Sequence, residues 1–151
     1  MPTTLGKPFS VAWRGRPPHM LFPDIPLWYN WLAKYGQFID NLYYDSLVGG
    51  PWLPQGSPPD KFTSQWAYNI SKRIDAVAEL SDEVWIIEVA TSPGLRAIGQ
   101  LLCYGALWMV DTKIMKPEKL VLVCSAVDRD LIACAAKYGI VTYVMPIMDK
   151  I

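Results

Sequence analysis

Hydrophobic positions along this chain follow two periods, separated by proline-rich stretches. Between residues 26 and 39, Leu27, Trp31, Leu32, Tyr35 and Phe38 recur at the spacing of one helix face, and Asp24 stands where an N-cap belongs. A β-like stretch at 42–48 stops at Gly49-Gly50-Pro51. A loop rich in Pro, Gly and Ser covers 51–66, and strand-like runs at 70–80 and 84–90 then flank the polar turn Ser81-Asp82. With Ser92 at the N-cap and Pro93 as first helical residue, a long apolar helix is predicted to Val110. The uninterrupted apolar run 120–124 suits a buried parallel strand. Residues 128–138 predict another helix, stopped by Gly139 at a C′-like position, and 140–145 a last buried strand. The order is α, β, β, β, α, β, α, β: an antiparallel part leading into a parallel βαβ unit, hence a mixed central sheet with helices on its faces.

Ten of the thirteen prolines precede residue 60. Residues 1–24 show no periodicity and predict an extended Pro-rich N-terminal arm, with 25–151 as one domain. Lys7, Arg14, Arg16 and His19 make the arm mildly basic; Trp13, Met20, Leu21 and Phe22 make it adhesive. Such an arm commonly wraps its own domain and less often docks onto a neighbour.

The two strands joined by Ser81-Asp82 fix a register. A two-residue turn places Leu80 opposite Glu83; counting back, Val77 faces Ile86, Asp75 faces Glu88 and Arg73 faces Ala90. Opposed residues share a face at roughly 5 Å between Cβ atoms, so two carboxylates meet in otherwise apolar strands. They could be ion-paired, Asp75 with Arg73 and Glu88 with Arg96, or could together hold a hard cation such as Mg²⁺. Glu79 shares the face of Asp75 nearer the turn and is expected to be solvated. On the next helix Arg96, Gln100 and Tyr104, four residues apart, form a polar stripe that faces either solvent or the two acids.

Composition narrows the classes. In 151 residues, 52% hydrophobic content gives material for a core and argues against intrinsic disorder. Lys+Arg and Asp+Glu are 14 each, so the chain as a whole is not a general polyanion binder. Three cysteines without CxxC spacing and one histidine predict neither a disulfide framework nor a zinc site. No secretory leader and no membrane span are evident, which predicts a soluble, intracellular protein.

Asp75, then Glu88-Val89-Ala90 after twelve intervening residues, then Gly99-Gln100-Leu101-Leu102-Cys103-Tyr104 resembles the PD-(D/E)XK nuclease superfamily. The similarity is to its RecB-like branch, where Gln and Tyr stand four apart on the helix after the active-site hairpin. The predicted order also resembles that family's αβββαβ restriction-endonuclease-like core plus an extra αβ, over residues 26–145. The resemblance implies a deoxyribonuclease dependent on Mg²⁺ or Mn²⁺. Asp75 and Glu88 would be its metal ligands, and Gln100 and Tyr104 would support the site or touch DNA. The family's lysine falls on Ala90, so hydrolysis is expected to be weakened or lost. Arg73 and Arg96 are the cations available to stand in, although arginine stabilises charge better than it accepts protons.

Small members of that superfamily are common in phages, so the resemblance further implies a phage protein, cytoplasmic in the host cell or carried in the particle. The alternative function is a non-catalytic structural or interaction component of a virion or other assembly on the same fold. Seven tryptophans and the adhesive arm suit such a component, with protein partners or further copies of the chain engaged through the arm.

Overall fold

The computed structural model describes residues 3–49 and 72–146; the loop expected at 51–66 and the first residues of the strand expected at 70–80 lie outside them. The elements follow the expected order. They are α1 (Asp24–Tyr35), β1 (Asn41–Val48), β2 (Lys72–Glu79), β3 (Val84–Val89), α2 (Leu95–Val110), β4 (Glu118–Cys124), α3 (Arg129–Lys137) and β5 (Ile140–Val144). The five strands form one mixed sheet in the order β1-β2-β3-β4-β5. The pairs β1/β2 and β2/β3 are antiparallel, and β3/β4 and β4/β5 are parallel.

Helices cover both faces. Val77, Val84, Ile86 and Leu122 pack with Ile98, Leu101, Trp108, Leu131 and Ala135 of α2 and α3. Ala76, Ala78, Ile87, Val121 and Val123 pack with Leu27, Trp28, Trp31 and Leu32 of α1. Strands covered on both sides must be apolar at successive positions, as 84–87 and 120–124 are. Both parallel connections place their helix on the same face, as two crossovers of one hand in a linear strand order require.

Three helix boundaries differ from expectation. Asp24 does not cap α1: Pro23 occupies the N-cap, and the Asp24 carboxylate instead accepts the Thr91 N–H at 3.2 Å. The helical pattern to 39 ends in a 3-10 turn, Gly36–Phe38, after α1. Ser92 and Pro93 lie ahead of α2, whose N-cap is Gly94. The Thr91 carbonyl accepts N–H groups from both Ser125 and Ala126, tying this stretch to the end of β4, and the helix begins beyond that clamp. At α3 the signals act as read: Asp128 accepts the Leu131 N–H at 2.7 Å, and Gly139 takes the left-handed φ of +76° after the last turn.

The segment before α1 lies along the outer edge of β1. Thr4 and Leu47 exchange backbone hydrogen bonds, and the Phe9 N–H reaches the Leu42 carbonyl. Phe9 and Trp13 pack near Tyr44, and Met20 is buried, so much of this segment's apolar surface serves its own fold.

Under α1, the fully buried Trp28 stacks on Trp31 at 5.1 Å and donates its indole N–H to the Tyr44 hydroxyl at 2.8 Å. Tyr44→Phe keeps the ring and strands that N–H in an apolar site. It is expected to destabilise by about 1–3 kcal/mol, seen as a lower urea midpoint with unchanged slope; an unchanged midpoint would show that the bond contributes nothing net.

Candidate active site

The antiparallel ladders break at one level of the sheet. The β2/β3 register runs Glu79↔Val84, Ala78↔Trp85, Val77↔Ile86 and Ala76↔Ile87, as the two-residue turn requires, and stops there. The next pair along is Asp75 and Glu88, whose carboxyl groups approach closely enough to share a hydrogen bond. Between β1 and β2 the ladder passes from Tyr44↔Ala76 to Ser46↔Ile74, omitting Asp45 and Asp75.

Both strands exchange faces at this level. On β1, Leu42 and Tyr44 pack under α1 but Val48 packs under α2; on β2, Ala76 packs under α1 but Ile74 under α2. The left-handed backbone of Asp45, φ +52°, marks the exchange on β1; this region is uncommon for any residue with a Cβ, Asn, Asp and His least so. A strand with strict period-2 alternation would keep one set of residues on one face throughout. The local twist frees Asp75 from the ladder, and its carboxylate accepts the Val89 N–H at 2.8 Å.

Glu88 shares the parity of Val84 and Ile86 and so points toward α2. One of its carboxylate oxygens, Oε2, is buried with no hydrogen-bond partner among the described residues. Burial pushes the Glu88 carboxyl far above its ordinary range; the charges of Asp75 and Asp24 push the same way, and Arg96 opposes them. Burial also raises Asp75, with the Val89 N–H pulling down and Asp24 and Asp45 pushing up. The pair therefore retains a proton at neutral pH.

Two members of the stripe on α2, Arg96 and Tyr104, interact electrostatically with this pair. Tyr104 is 5% exposed, and burial together with the fields of Glu88 and Asp75 keeps its hydroxyl protonated far beyond the usual phenol range. Gln100 is half-buried, and Arg96, one turn closer to the helix start, is exposed while its charge still bears on Glu88. Among the described residues the ion pairs join His19 to Asp45, Lys113 to Asp111, Lys116 to Glu79 and Lys119 to Glu83, and include neither Asp75 nor Glu88. Neither expected ion pair, Asp75 with Arg73 or Glu88 with Arg96, is among them.

Two expectations change. Arg73 does not oppose Ala90, because the β2/β3 ladder has already ended; its Nη1 lies 2.9 Å from both ring nitrogens of His19, and Ala90 donates its N–H to the Val123 carbonyl instead. Glu79 is held rather than solvated, by Lys116 at 2.9 Å and the Asn41 amide at 3.0 Å.

Asp24 and Asp45 were not legible as neighbours of the pair, nor His19 as a partner of Asp45. Asp24 carried a signal that pointed elsewhere, a residue type suited to capping. His19 (φ +59°) and Asp45 lie 3.4 Å apart from distant parts of the chain, and only their residue types, tolerant of left-handed backbone, hinted at special positions.

Among the described residues no group of three or more His, Cys, Asp and Glu is arranged to hold a metal ion. Two carboxyl groups in contact, one with an unpartnered oxygen, are nonetheless a donor set that fits Mg²⁺, which takes one or two carboxylates and completes its shell with water. Among the described residues no helix is long and apolar enough to cross a membrane. No protein-family model, curated protein or solved structure matches this chain.

The proton held by the pair sets a pH dependence. Unfolded, Glu88 loses its proton near its ordinary 4.5; folded, it keeps it to higher pH. Over that interval the native state binds more protons than the unfolded state, so stability falls as pH rises. The melting temperature of the metal-free protein should drop between about pH 5 and about pH 9, and Glu88→Gln, always neutral, should flatten this slope. Equal slopes for both proteins would place the proton elsewhere.

Proposed function

We propose that this chain is a PD-(D/E)XK-type protein: a deoxyribonuclease dependent on Mg²⁺ or Mn²⁺ whose phosphodiester hydrolysis is weakened because Ala90 stands at the lysine position. The observation that carries this reading is the contact between Asp75 and Glu88 on neighbouring strands, with one Glu88 oxygen buried and unpartnered. The order αβββαβ followed by αβ, with the acids on β2 and β3 and a polar stripe on the next helix, supports a restriction-endonuclease-like core.

In this reading Asp75 and Glu88 hold the cation. The bound ion supplies a water of lowered pKa and a Lewis acid for the phosphoryl oxygen. Arg96, exposed on the side of Glu88, offers donors to the non-bridging phosphate oxygens. Gln100 presents an amide between Arg96 and Tyr104, suited to a water or a DNA oxygen. Tyr104 is buried within the field of the pair, and its retained hydroxyl proton makes it a donor. Ala90 can neither accept a proton nor stabilise charge, and Arg73 lies beside His19.

One observation favours the alternative, a non-catalytic component of a virion or similar assembly: Asp75 takes the Val89 N–H and can share a proton with Glu88, so the pair can be satisfied without a metal.

Calorimetry should detect Mg²⁺ or Mn²⁺ binding that Glu88→Ala abolishes. Restoring the lysine as Ala90→Lys should raise divalent-dependent nicking of supercoiled DNA by about 10²–10⁴-fold, the usual contribution of a positioned acid–base or charge-stabilising group. If neither protein nicks DNA with either ion, the nuclease reading fails and the assembly reading stands.

A further inference from the structure

Beside the start of α1 lies a groove of about 450 Å³, lined among others by Arg14, Arg16, Phe22, Ile25, Pro26 and Tyr29. Its walls alternate cations with flat aromatic faces. The Arg16 guanidinium lies 4.1 Å from the centroid of Phe22, and that of Arg14 lies 5.0 Å from the centroid of Tyr29. Phe22 is 67% exposed, unusual for a large apolar ring. The Tyr29 hydroxyl donates to the Gly15 carbonyl, and Arg14 donates to the Trp13 carbonyl at 3.1 Å, so the wall is held in place before any ligand arrives. Neither arginine has a carboxylate partner among the ion pairs of the described residues.

The groove shares the first turn of α1 with Asp24. Ile25 and Pro26 directly follow Asp24, whose charge bears on both Asp75 and Glu88.

We infer that this groove binds single-stranded DNA, a base stacking on Phe22 and the flanking phosphates meeting Arg14 and Arg16. The choice of DNA rests on the nuclease reading; the choice of a single strand rests on the groove. Aromatic faces paired with cations are the elements by which proteins hold unpaired bases and their backbone. A duplex hides its base faces in its own stack and would meet only the arginines. An acidic peptide would match the charge but leave Phe22 unused.

The test is binding without cleavage, in EDTA and in the Glu88→Gln background. The probe is a fluorescein-labelled oligothymidylate of about 12 nucleotides, within the usual span of single-strand sites. Anisotropy should show binding that is stronger than to the same length of duplex. Phe22→Ala should weaken it by roughly 5- to 100-fold, the usual worth of one base–aromatic stack. Arg16→Ala should lower the slope of log affinity against log salt by about 0.7, one phosphate contact on a single strand. Tyr138→Ala, removing an exposed aromatic on the turn after α3, should change nothing.

No binding, equal binding by Phe22→Ala, or equal competition by polyglutamate would overturn the assignment. Any of these could occur while Mg²⁺-dependent nicking persists, and binding could persist with no nicking at all, so failure of the groove and failure of the nuclease reading are told apart.

Discussion

Two half-buried carboxyl groups, Asp75 and Glu88, bear on one another from neighbouring strands, and the surrounding structure is arranged about that constraint. Desolvation and mutual repulsion both disfavour the doubly charged state, so the pair must keep a proton or recruit a cation. The neighbouring backbone answers part of the cost, through the Val89 N–H aimed at Asp75. Removing Asp75 from the ladder at the level where β1 and β2 exchange faces makes that bond available.

The apolar layers hold this arrangement in place. Ile74 and Val77 anchor β2 under α2, while Ala76 and Ala78 anchor it under α1. Sliding the strand by one residue would turn these sets to the wrong faces, and would also separate the acids. The register that buries the core is therefore the register that brings the carboxyl groups together. The same packing sets Arg96 and Tyr104 of the α2 stripe in electrostatic reach of the pair, with Tyr104 buried and Arg96 exposed.

Asymmetry between the two faces divides the labour. The face under α2 and α3 carries Glu88 and Tyr104. The face under α1 is an aromatic layer in which Trp28, Trp31, Tyr35 and Tyr143 meet ring to ring, and Asp24 sits at the helix start. Asp24 accepts the Thr91 N–H from there, and its charge bears on the carboxyl pair.

Local chemistry in the sequence determined the hairpin and its consequences. A two-residue turn at Ser81-Asp82 and alternation on both sides leave one register, and that register alone places Asp75 beside Glu88. Four-residue spacing likewise put Arg96, Gln100 and Tyr104 on one stripe, and Asp128 and Gly139 bounded α3, because these depend only on neighbours a turn away. What tertiary structure decided lies at long sequence separation. Asp24 abandons a capping role for Thr91, 67 residues away, since docking of α1 brings the two together. Asp45 adopts a left-handed backbone, and Arg73 turns to His19 rather than Ala90, once β1 and β2 exchange faces and the ladder ends. Periodicity assumes an uninterrupted strand; the site exists where two strands are interrupted, and only the packing of both layers fixes that point.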